Sequence, residues 1–75
     1  MNHIIEIEHS YNLFFKEYPD VLTTKELQNI LGISDKTVFS LLHSGQIKSI
    51  KVGRNFRIPK IYLLQYLGLV PDDAL

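Results

Sequence analysis

The stretch that decides the fold is LTTKELQNILGISDKTVFSLLHSG, residues 22–45. Thr23 and Glu26 stand in the spacing T-x-x-E of a capping box, in which each side chain satisfies the other's orphan backbone donor. Leu22 ahead of the cap and Leu27 behind it have the spacing of a hydrophobic staple. Leu27, Ile30 and Leu31 then share one helical face, and Gly32 suits the left-handed position that closes a helix. Only Gly32, Ile33 and Ser34 separate this helix from the next. Ser34 is a natural N-cap, and Ile33 with Val38 repeats the staple. Val38, Leu41 and Leu42 form a second apolar stripe, which Gly45 ends. Two short helices across a glycine-containing turn are the signature of a helix-turn-helix, although helical hairpins of this length also serve as plain core structure.

Downstream, Ser49-Ile50-Lys51-Val52 and Phe56-Arg57-Ile58 flank Gly53-Arg54-Asn55. Alternation across a strand predicts a β-hairpin with Ile50, Val52, Phe56 and Ile58 toward the core. Ser49, Lys51 and Arg57 then face outward, with Arg54 and Asn55 at the tip. Pro59 suits the first position of a third helix, Lys60 to Leu67, closed by Gly68. That helix is apolar nearly all round, through Ile61, Tyr62, Leu63, Leu64, Tyr66 and Leu67.

Upstream, residues 1–20 read as a separate acidic and aromatic extension, and 21–75 as the domain proper. Ser10 is a candidate cap for a short helix in which Tyr11, Phe14, Phe15 and Tyr18 recur at helical spacing until Pro19-Asp20 breaks it. The spare face of the third helix needs cover. Tyr11, Phe14, Phe15 and Tyr18, with Tyr62 and Tyr66, form the candidate interface, closed either within one chain or across a homodimer. The expected architecture is mainly α with a small β-hairpin: a winged helix-turn-helix preceded by a short helix.

The bulk properties narrow the functions. The 75 residues make one domain with a small core, and the lack of cysteine excludes disulfides and thiolate metal sites. The acidic start is unlike a signal peptide, and no apolar run has the length of a membrane span, so a soluble, cytoplasmic protein with no membrane partner is expected. Net charge is zero but unevenly placed: residues 1–35 carry −4 and residues 36–75 carry +4, with no acid between Lys36 and Pro71. Such a run is either a solvated surface or a binding face; position decides.

The run from Leu22 to Leu67, about three fifths of the chain, resembles the MerR-like winged helix-turn-helix of excisionases and small phage or plasmid regulators. Leu22-Thr23-Thr24-Lys25-Glu26-Leu27, Leu31-Gly32-Ile33-Ser34, Thr37-Val38, Ser44-Gly45 and Val52-Gly53-Arg54-Asn55-Phe56-Arg57-Ile58-Pro59 carry the resemblance, in that order. Ser40 and His43 stand where such families commonly carry basic residues, and Phe56 where a tryptophan is often found. The resemblance implies binding of double-stranded DNA. It also implies two roles: an architectural factor beside a recombinase of a mobile element, or a small regulator of transcription.

In a helix-turn-helix the second helix enters the major groove. Opposite Val38 lie Lys36, Ser40 and His43, flanked by Thr37 and Ser44, a strip of donors and acceptors suited to base edges. Phe39 borders the strip and is expected to seal the junction of helix and wing. Arg54 at the wing tip suits a phosphate or minor-groove contact. Lys48, Lys51, Asn55, Arg57 and Lys60 complete the candidate DNA-binding set. A module this small gains specificity by repetition, so cooperative or dimeric binding is expected. Enzyme chemistry has little to stand on: His3 and His9 are too far apart for one metal face, the glycines are scattered, and no cofactor is implied. The alternative is a protein-interaction module that keeps the fold without the DNA contacts. The neutral Ser40 and His43 favour it; the basic wing opposes it, since lysine is depleted in protein interfaces.

Overall fold

The computed structural model describes residues 15–71. The elements run β1 (Val21–Leu22), α1 (Thr24–Leu31), α2 (Asp35–His43), β2 (Ile50–Val52), β3 (Asn55–Pro59) and α3 (Lys60–Tyr66). The expected winged helix-turn-helix is present, with one addition. The wing is part of a three-stranded antiparallel sheet in the order β1-β3-β2. The added strand β1 is two residues long, too short for any periodicity to announce.

Both helix starts follow the local chemistry. Thr23 Oγ1 accepts from the Glu26 amide at 3.2 Å, and Glu26 Oε1 accepts from the Thr23 amide at 3.0 Å, completing the capping box. Ser34 Oγ accepts from the Thr37 amide at 3.2 Å at the start of α2. Gly32 closes α1 at φ 66, and the amides of Gly32 and Ile33 both donate to Gln28 O, at 2.8 and 3.3 Å. Only glycine adopts that conformation at little cost, which makes the turn between α1 and α2 tight. The Gln28 side chain spans the same turn. With its oxygen toward α2 it accepts from the Asp35 amide at 2.8 Å, and its Nε2 donates to Asp35 Oδ1 at 3.0 Å.

The core forms where the helices meet the inner face of the sheet. Leu22, Leu27, Val38, Leu42, Ile47, Ile58 and Leu63 make one buried cluster. Leu22 pairs with Ile58 across β1 and β3, so the residue before the α1 cap is held directly on the wing strand. Ile47 belongs to the loop after α2 and carried no periodic signal. Its amide donates to Leu41 O at 3.3 Å, which turns the loop inward and buries the side chain.

Part of the expected N-terminal helix falls among the described residues, and there it is corrected. Phe15–Tyr18 form a turn closed by the Tyr18 amide on Phe15 O at 3.0 Å. Phe15 sits at φ 58, in the left-handed region a helix excludes. Phe15, Tyr18 and Tyr62 are partly buried against the core, while Tyr66 is exposed. Tyr11 and Phe14, the rest of that candidate interface, lie outside the described residues.

Candidate nucleic-acid interface

The exposed side of α2 carries Lys36, Thr37, Phe39, Ser40 and His43, and Ser44 caps its C-terminal end. Residues 36, 39, 40 and 43 are neighbours on a helical surface, so the strip is continuous, with Phe39 set among polar groups. Two of its hydroxyls are already engaged. Thr37 Oγ1 lies 3.0 Å from Ser34 Oγ, and Ser44 Oγ donates to Leu41 O at 3.1 Å while accepting from the Gln46 amide at 3.4 Å. Asp35, the acid nearest the strip, has its carboxylate tied back toward α1 by Gln28.

The wing is joined to this strip by rings. Phe39, 37% exposed, stands 5.9 Å from Phe56 between centroids, as expected of a residue sealing helix to wing. His43 meets Phe56 edge-on at 5.2 Å and lies 6.3 Å from Phe39. Lys51 Nζ stands 5.2 Å from the centroid of the Phe56 ring, within cation–π range.

The facing of the wing departs from expectation. Val52 pairs with Asn55, Lys51 with Phe56 and Ile50 with Arg57. The loop is therefore the two residues Gly53 and Arg54, not three. Gly53 at φ 64 comes first and Arg54 is not left-handed, the pattern of a type II′ hairpin turn. Removing one residue from the loop reverses one strand relative to the other. Lys51 shares the inner face with Phe56 and Ile58, while Ile50 and Val52 share the outer face with Asn55 and Arg57. Ile50 is 52% and Val52 60% exposed, so neither is a core residue. Lys51 and Arg57 lie on opposite faces rather than one. Arg57 Nη1 donates to Phe56 O at 3.1 Å, which keeps its side chain half-buried.

Lys60 is the second correction. It is 4% exposed, and its Nζ donates to Phe15 O and Tyr18 O, each at 3.1 Å. Its own amide donates to Asp20 O at 2.7 Å. The ammonium therefore clasps the N-terminal turn onto the start of α3 and is withdrawn from the surface. A buried lysine supplied with carbonyl acceptors is a structural tie, a role its place in a basic run concealed.

What remains exposed is Lys36, Ser40 and His43 on α2, linked to Lys51 through the Phe56 ring, together with Arg54 at the wing tip and Lys48 in the loop between helix and strand. No acid occurs in this part of the chain after Asp35. Among the described residues no three of His, Cys, Asp or Glu gather to hold a metal ion, and no helix is long and apolar enough to cross a membrane.

Comparison with known proteins agrees with this architecture. Two curated relatives from Mycobacterium tuberculosis are 37% identical over 38 residues: "Putative DNA-binding protein MT0521" of strain CDC 1551 / Oshkosh and "Putative DNA-binding protein Rv0500A" of strain ATCC 25618 / H37Rv. In each case the match covers 51% of this chain and 49% of the relative, so the chain spans about half the length of the curated relatives it matches. No solved structure matches at comparable stringency. A family model described as a helix-turn-helix domain matches residues 21–68, from β1 to the glycine that follows α3. With its capped helix pair, three-residue turn and wing, the chain belongs to that helix-turn-helix domain family.

Proposed function

We propose that the chain binds double-stranded DNA, with α2 in the major groove and the β2–β3 wing on the backbone or in the adjacent minor groove. The observation that carries this reading is that the exposed polar strip of α2 meets the wing through Phe39, His43, Phe56 and Lys51, within a stretch, Lys36 to Pro71, that holds no acid. The relatives named as DNA-binding proteins support the same reading. Lys36 and Ser40 are the candidates for base edges, because their side chains are exposed. Thr37 and Ser44 add less, since their hydroxyls are already bonded within the chain. Arg54, Lys51 and Lys48 supply phosphate contacts, which position the protein and carry most of the affinity. Asn55 and Arg57, on the outer face of the wing, are peripheral.

The role built on this binding is that of an excisionase-like factor beside a recombinase, or of a small phage- or plasmid-type regulator. A surface of this size supports cooperative or dimeric occupation of adjacent sites. A second reading, contact with a protein partner, is favoured by the outer face of the sheet, where Ile50 is 52% and Val52 60% exposed on one edge strand and Val21 48% exposed on the other. Fluorescence anisotropy of labelled mixed-sequence duplex across a salt series separates the two. DNA binding through this surface gives a log–log slope of about −4, and one about a unit shallower in Arg54→Ala. Absence of binding at low salt overturns the proposal and leaves the protein-interaction reading.

A further inference from the structure

We infer that His43 is a positioning residue, one that sets the wing against the recognition helix rather than reading a base edge. The inference rests on the DNA-binding proposal for its consequence, but its geometry stands without DNA. His43 is the last residue of α2, and its ring meets Phe56 of β3 at 5.2 Å with the planes at 90°. That is the edge-to-face arrangement aromatic rings prefer. Phe39, one turn earlier, closes a triangle of rings, 6.3 Å from His43 and 5.9 Å from Phe56. Two corners come from the helix and one from the wing.

The rest of the distal wing offers the helix little to hold. Ile50 and Val52 face outward and are exposed, and Ile58, which is buried, lies at the base of the hairpin. Arg54 is only two residues beyond Phe56, so a small rotation about the hairpin base moves its guanidinium off the phosphates while α2 stays seated. The ring triangle restrains that rotation. Lys51, with its Nζ 5.2 Å from the centroid of the same Phe56 ring, is aimed by it as well. His43 thereby contributes to DNA affinity through Arg54 and Lys51, and what it must supply is a ring, not a hydrogen bond.

Two substitutions part the roles. His43→Phe keeps the ring and discards the donor and acceptor; His43→Gln keeps a donor and an acceptor and discards the ring. His43 is exposed, so both variants should fold, which circular dichroism checks. Duplex affinity is measured for each, alone and combined with Arg54→Ala, and backbone relaxation of the Gly53 and Arg54 amides is measured on the free proteins. Positioning predicts that His43→Phe stays within about 2-fold of the wild type, whereas His43→Gln weakens binding by about 3- to 10-fold. It also predicts that Arg54→Ala costs less in the Gln background, because the tip has already come loose. The tip amides become more mobile in the Gln variant and not in the Phe variant. The inference is overturned if Gln retains affinity and Phe loses it, if the Arg54→Ala cost is the same in every background, or if the free tip is unmoved. If the wild type binds no duplex yet the tip loosens only in the Gln variant, the DNA reading fails and the positioning role stands.

Discussion

In α1 and α2, Leu27, Val38 and Leu42 are buried, each helix begins on a side-chain cap, and Gln28 ties the turn between them. In the wing, two of the three residues of β2 point their aliphatic side chains into solvent, and the hairpin is fixed to the helices by three rings and the base residue Ile58. The helical pair gives three side chains to the buried core and the β2–β3 hairpin gives only Ile58; the wing holds exposed charge and little core. Substitutions in the first region should register as lost folding. In the second they should register as lost binding with folding intact.

The sharpest way to test that division is at the center of the helical pair. Leu27→Ala removes a fully buried side chain from the cluster it forms with Leu22, Val38, Leu42 and Ile58. Truncations of this kind cost about 2–5 kcal/mol. Small domains have little more than that in reserve, so urea denaturation should show a large fall in midpoint or no cooperative transition at all. A fall below about 1 kcal/mol would mean that the core is not where the burial places it.

Lys60 tests the border between the two regions, because it belongs to the basic run but not to the basic surface. Lys60→Met keeps the stem and removes the ammonium, leaving Phe15 O and Tyr18 O without its two hydrogen bonds. Hydrogen bonds from a charged donor contribute about 1.5–3 kcal/mol, so stability should fall by that order. The salt slope of DNA binding should remain that of the wild type, in contrast to Arg54→Ala. A slope shallower by about one unit would put the ammonium on the phosphates and overturn the clasp.

The two regions also differed in how legible they were. Capping and stapling are local, set by residues three to five apart, and Thr23, Glu26, Ser34 and Gly32 announced both helices and their turn. The inward face of the wing is not local. It depends on whether the loop holds two residues or three, and Gly53-Arg54-Asn55 is compatible with either count; the pairing of Val52 with Asn55 decides for two. Pattern alone argued for placing Ile50 and Val52 inside with Phe56, since four apolar residues on one face look like a core. Three other roles were hidden because nothing periodic marks them: β1 is two residues long, Ile47 sits in a loop, and Lys60 reads as one more basic residue. Within the candidate DNA face, the strip on α2 and the tip arginine followed from helical spacing and turn chemistry. The partnership of His43 with Phe56 required the packing of helix on strand.

The smallest expected effect discriminates the register most cleanly. Ile50→Thr and Val52→Thr both retain a β-branched side chain, so strand propensity barely changes. If these positions faced the core, each would bury a hydroxyl and lose packing, at about 1–3 kcal/mol apiece. On the outer face, at 52% and 60% exposure, each should change stability by no more than about 0.5 kcal/mol. The double variant measures both at once. Near-native denaturation supports the two-residue loop, and it supports a wing whose apolar outer face is available to a partner and dispensable for folding. Severe destabilisation would restore the three-residue loop, return Lys51 to the outer face and remove it from the Phe56 ring. Lys51 and Arg57 would then lie on one side of the hairpin, and the basic surface would have to be redrawn around them.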